Sequence, residues 1–136
     1  MLLLSFHSAA RLKIFMHVKP LKDLPEFTAG DNCFLREILN SNKEKLALGY
    51  SLAWFRVLPR HKTFQHALAA SEVYYIISGK GIMHIDKESK EVQANDTVYI
   101  PPHALQWIEN SSETEMLVAL CIVDPAWKPE LETVLE

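Results

Sequence analysis

His66, Glu72 and Tyr74, within the stretch HALAASEVYYIISGKG, are the residues of this sequence best placed to do chemistry. An imidazole nitrogen and a carboxylate can both ligate a divalent cation, and together they resemble the opening of a metal-binding β-hairpin. The same pair is also sensible without a metal, because a buried carboxylate survives if it is paired or protonated. Tyr74 shares the parity of Glu72 along a strand and should face the same side. Its phenol could then donate a hydrogen bond to a bound molecule, or serve only as a buried structural tyrosine.

The elements that must position these groups read as strands. After Lys19-Pro20, short apolar runs bounded by turn residues recur at roughly ten-residue spacing, the pattern of an all-β sandwich or barrel. Strands are expected over residues 33–39, 48–58, 72–77, 82–86, 90–93, 97–100, 106–109 and 116–123. Ser78-Gly79-Lys80-Gly81 reads as a tight hairpin turn, since glycine takes a positive φ without penalty. Asn95-Asp96 reads as another turn, and Pro101-Pro102 ends a strand because neither residue can donate a ladder hydrogen bond. The tail beyond Asp124, with Pro125, Pro129 and an acidic stretch, is expected to form one short helix.

The chain has 136 residues, enough for one domain. Residues 1–19 are expected to be an N-terminal extension, with Met16 opening ordinary domain sequence, and residues 20–136 a single barrel domain whose tail starts at about 124. Apolar residues make up 49% and charged ones 23%, the composition of a soluble globular protein. Lys and Arg total 14 against 17 for Asp and Glu, and the net charge of −3 offers no attraction to phosphate backbones or anionic lipid. No nucleic-acid or membrane partner is therefore expected. Cys33 and Cys121 stand far apart with no CxxC pair, so neither a disulfide framework nor a thiolate zinc site is indicated and a cytoplasmic setting fits.

Two motifs give the pattern a family. HALAASEVYYIISG matches a first motif of the form G-x5-H-x-H-x3,4-E-x6-G, with His66, Leu68 in the second-His place, Glu72 and Gly79. NDTVYIPPHALQWIEN matches a second motif, G-x5-P-x-G-x2-H-x3-N, with Asn95, Pro101, His103, Gln106 and Asn110 in turn. The chain thus resembles a small single-domain cupin, a double-stranded β-helix barrel of jelly-roll type, expected here with short terminal extensions.

The resemblance implies that His66 and Glu72 are retained metal ligands, Leu68 a lost one and Gln106 a replacement. The implied cofactor is a divalent metal ion (Mn, Fe, Ni or Zn), or none. It also implies a small oxygen-rich substrate and isomerase, lyase or dioxygenase chemistry, with Tyr74 or His103 as proton carrier. The alternative is a non-catalytic cupin binding a small sugar or acid without metal. Whether Gln106 coordinates or only hydrogen-bonds stays open, as does whether His103 works at the barrel mouth or fills a turn with positive φ. His61 is an outside candidate. Trp107 should face away from Gln106, one of Trp54 and Phe55 should lie inside, and cupins commonly pair as homodimers, with the tail around Trp127 a possible edge cover.

Overall fold

The computed structural model describes residues 16–136; the expectation for the first fifteen residues lies outside them. A 3-10 turn at Leu21–Asp23 leads into eleven strands, β1 Phe27–Thr28, β2 Phe34–Asn40, β3 Ser51–Val57, β4 His66–Leu68, β5 Ser71–Ser78, β6 Lys80–Ile85, β7 Glu88–Gln93, β8 Thr97–Ile100, β9 Gln106–Asn110, β10 Leu117–Asp124 and β11 Glu132–Val134. They form two antiparallel sheets that face each other, one in the order β1-β2-β3-β10-β5-β8 and the other β11-β4-β9-β6-β7. Each expected strand is present within a few residues. Three more, β1, β4 and β11, are two or three residues long and owe their existence to a partner more than to their own pattern.

The tail corrects the sequence reading. In place of a helix, Pro129–Leu131 makes one 3-10 turn and β11 then pairs with β4, Glu132 opposite Leu68 and Val134 opposite His66. The open edge of β4 offers ladder partners that an isolated helix of that length could not match. The turns behave as their residues require. Gly79 has φ 86° and Asn95 φ 73°, and a Cβ on Gly79 would come within 2.3 Å of the Met116 carbonyl oxygen.

Alternation along the strands sends one set of side chains into the space between the sheets. Phe55, Ile76, Met83, Ile100, Ile108, Leu117 and Ala119 form the core. Phe55 is thus the inward member of its pair; Trp54 lies half-buried on the outer face with the Arg36 guanidinium 5.8 Å from its ring centroid. Trp107 also faces outward, stacked on His84 at 4.4 Å between centroids.

Candidate functional site

The site is assembled from both sheets. β4 contributes His66 and β9 Gln106, which stand directly opposite each other in the ladder; Glu72 and Tyr74 come from β5 on the facing sheet, and Cys121 from the neighbouring β10, opposite Tyr74. The turn before β2 adds Asp31, whose backbone carbonyl accepts from the Phe64 N–H at 2.7 Å and so ties the turn to the approach of β4. Glu132 arrives on β11, with Oε2 3.3 Å from the Cβ position of Gly30. His66, Leu68, Glu72 and Tyr74 together line a cavity of about 100 Å³ that runs between the sheets, with Asp31 and Glu132 among its other walls.

Its polar atoms fall into a definite pattern. His66 Nδ1 lies 2.7 Å from the Phe64 carbonyl oxygen. A carbonyl only accepts, so Nδ1 carries a proton, and in the neutral ring Nε2 presents a lone pair. That Nε2 is 3.7 Å from Asp31 Oδ2, too far for a direct hydrogen bond. Asp31 Oδ1 accepts from the Cys33 N–H at 3.2 Å. The Cys121 thiol donates to Glu72 Oε2 at 2.7 Å, and the Tyr74 hydroxyl donates to Gln106 Oε1 at 3.0 Å. Glu72 Oε1 and Gln106 Nε2 are both buried and make no hydrogen bond of ordinary geometry, although the amide is near enough to favour the Glu72 carboxylate.

Burial dominates the ionisation of this cluster. It pushes the Glu72 carboxyl up, while the Cys121 thiol, the His66 imidazole and the Gln106 amide pull it back. It drives the Cys121 thiol and the Tyr74 phenol well above their ordinary values, helped by the nearby Glu72 charge. Glu132 is also raised, first by burial and then by Asp31, against the pull of His66 and Trp127. A thiol held in this way is a structural donor and no nucleophile.

His66, Glu72, Gln106 and Tyr74 are therefore brought together as the sequence implied. His103 is not: its side chain is exposed in a turn at φ 67°, and its N–H donates to the Leu68 carbonyl oxygen at 2.7 Å. His61 is exposed as well, with Nδ1 2.8 Å from the Pro59 carbonyl oxygen. Asp31, Cys121 and Glu132 escaped sequence reasoning. Cys121 had a usable signal in the alternation of its strand; Asp31 and Glu132 sit in a turn and a tail, where no periodicity announces direction.

The donor set fits a resident metal poorly. Leu68, only 3% exposed, fills the place of a second imidazole with an isobutyl group. The Gln106 oxygen is engaged by Tyr74 and one Glu72 oxygen by Cys121. Among the described residues, no three or more His, Cys, Asp or Glu side chains are grouped so as to hold a metal ion.

With the barrel and its site in view, comparison with known proteins places the chain. The Cupin domain family profile matches residues 53–123, and the protein belongs to that family. It is 36% identical over 107 residues to the uncharacterized protein MJ1618 of Methanocaldococcus jannaschii, across 78% of this chain and 84% of that one. Among solved structures it is similar to a cupin 2 conserved barrel domain protein from Salinispora arenicola, with a TM-score of 0.70 at 17% identity, covering 86% of this chain and 92% of that one. Bacillus subtilis oxalate decarboxylase, as an S161A mutant, gives a TM-score of 0.71 at 23% identity; 85% of this chain matches 31% of the enzyme. At these identities the structural likeness speaks for the fold. That fold is shared with metal-dependent enzymes and with small-ligand binders, and the residues of each site decide which chemistry it hosts.

Proposed function

We propose that the protein binds a small polar molecule in its barrel through direct hydrogen bonds with His66 and Glu72, Gln106 standing opposite His66 in the ladder, without a resident metal ion. The observation that carries this reading is Glu72 Oε1, a buried atom without a hydrogen-bond partner on the wall of the cavity. A buried donor or acceptor without a partner costs on the order of 1–3 kcal/mol, and its persistence beside a cavity is explained by a ligand that supplies the missing bonds. Tyr74 positions Gln106 by occupying its carbonyl oxygen, and Cys121 does the same for Glu72. The two free thiols suit a reducing, cytoplasmic compartment. No helix among the described residues is long and apolar enough to cross a membrane.

The competing reading is a divalent metal on His66, Glu72 and Gln106 supporting isomerase, lyase or dioxygenase chemistry, and it rests on the spacing of the first two residues. Elemental analysis of protein purified without added metal separates them. Metal content well below one ion per chain, unchanged after soaking with Mn²⁺ or Fe²⁺, supports the direct-binding reading. About one ion per chain that disappears in Glu72→Gln overturns it.

A homodimer is part of the same proposal. Tyr75, Ile77, Tyr99 and Ile122 are exposed on the outside of the six-stranded sheet, an apolar face of the kind that partners cover. Light scattering on the wild type and on Ile122→Lys checks it, with a dimer that dissociates in the variant as the expected result.

A further inference from the structure

Resting on the binding reading above, the composition of the cavity wall goes on to specify the charge of the occupant. Four carboxylates line it, from Asp31, Glu37, Glu72 and Glu132, with the His66 imidazole as the one basic side chain and no Lys or Arg among the described lining residues. Only Glu37 has a cation of its own, Lys43 Nζ at 2.8 Å, and that ammonium approaches from the exposed side. The hydrogen-bonding groups are equally one-sided. Glu72 Oε1 is unpartnered, Asp31 Oδ2 lies 3.7 Å from His66 Nε2, beyond direct hydrogen-bond reach, and Glu132 Oε2 reaches over Gly30 beside Asp31. The wall's own donors are few, the Ser51 hydroxyl and the Cys33 thiol; the unpartnered Gln106 Nε2 belongs to a residue outside that lining.

We infer that the site selects a small cationic ligand, an amine carrying a neighbouring hydroxyl or carbonyl oxygen, and rejects carboxylates and phosphates. An ammonium is a donor-only group with three N–H bonds, so it satisfies several acceptors at once, while its charge offsets the unpaired carboxylates. The adjacent oxygen accepts from the Ser51 hydroxyl, which lines the same cavity. An anion in the same place would meet like charges across a poorly screened interior. A cavity of about 100 Å³ holds a molecule of a few heavy atoms, several waters' worth of space. This separates the pocket from the oxalate decarboxylase barrel that shares its fold, whose name records a dianionic substrate.

The test uses three probes of matched size and different charge, ethanolamine, ethylene glycol and glycolate, titrated into the full chain near neutral pH by calorimetry and thermal shift. Ethanolamine is expected to bind at least about tenfold more tightly than glycolate, a difference of about 1.4 kcal/mol. That preference should shrink in Asp31→Asn and in Glu132→Gln, the second lying on a half-buried edge strand where it leaves folding intact. Glycolate binding as tightly as ethanolamine, or a preference unchanged in both variants, overturns the charge assignment while the binding reading stands. Binding by none of the three overturns the assignment too. The binding reading itself falls separately, on the metal content of the protein.

Discussion

The two halves of the barrel interior are built on opposite terms, although the same strands run through both. Along the inner face of β5 the side chains change from Glu72 and Tyr74 to Ile76, along β9 from Gln106 to Ile108, and along β10 from Cys121 back to Ala119 and Leu117. In the apolar half Ile76, Ile108 and Leu117 are fully enclosed at 0% exposure, and burial alone holds them. The polar half encloses a carboxylate, an amide and an imidazole to nearly the same degree and leaves two of their atoms without partners. One half carries stability; the other gives some of it up to hold polar groups out of water, as the proposed binding role requires. Fold and function are thus separable along each strand.

The comparison is most severely tested by truncating the apolar half. Ile108→Ala should cost about 2–5 kcal/mol, read as a lowered denaturation midpoint, while the remaining folded protein keeps its affinity for ethanolamine. A loss of affinity equal to the loss of stability would show the two halves to be coupled. Next, Leu68→His with Gln106→His restores the two imidazoles that the family motif calls for. This double variant should gain about one Mn²⁺ or Zn²⁺ per chain and become stabilised by added metal, by about 2.7 kcal/mol at a hundredfold excess over the dissociation constant, where the wild type does not respond.

Smaller still, Glu72→Leu should change stability by no more than about 1 kcal/mol, since it removes an under-bonded buried carboxyl while taking from the Cys121 thiol its acceptor and from Gln106 and His66 a favourable neighbour. Ligand binding should be abolished in the same variant. Loss of stability of several kcal/mol would mean that Glu72 is structural. The smallest effect lies outside the barrel, where Arg56 holds Glu26 with Nε at 2.8 Å from Oε2 and Nη2 at 2.7 Å from Oε1. This guanidinium keeps the Glu26 carboxyl below its ordinary value of 4.5. The pair therefore stabilises the fold above that value and loses its effect as the pH falls through the lower, folded one. Glu26→Gln should cost at most about 1 kcal/mol at neutral pH, with the difference from wild type vanishing in acid.

Much of this molecule could be read from its sequence because its strands announce themselves locally. The glycine of the first motif and the two prolines of the second sit at turns that only such residues form readily, and the alternation of Glu72, Tyr74 and Ile76 points them to one side. The short strands were not legible in the same way. β4 and β11 are stable only as partners, and a pairing between Leu68 and Glu132 leaves no trace in either segment alone. The site was half visible for that reason. His66, Glu72, Tyr74 and Gln106 lie on elements with a readable pleat, whereas Asp31 and Glu132 take their direction from contacts distant in sequence. His103 shows the reverse case, a suggestive side chain whose place was decided by backbone conformation at φ 67°.

The pairing of Val134 with His66 also bears on how the protein is made. Chains grow from the N-terminus, and regions fold as their partners emerge. The strands that enclose Ile76, Ile108 and Leu117 are all synthesised before residues 132–134, so the apolar half can close while β4 still has one naked edge and Glu132 is yet to be added. Among the described strands β11 is the last to be synthesised, so the polar half of the barrel gains its outer strand only after the apolar half can close.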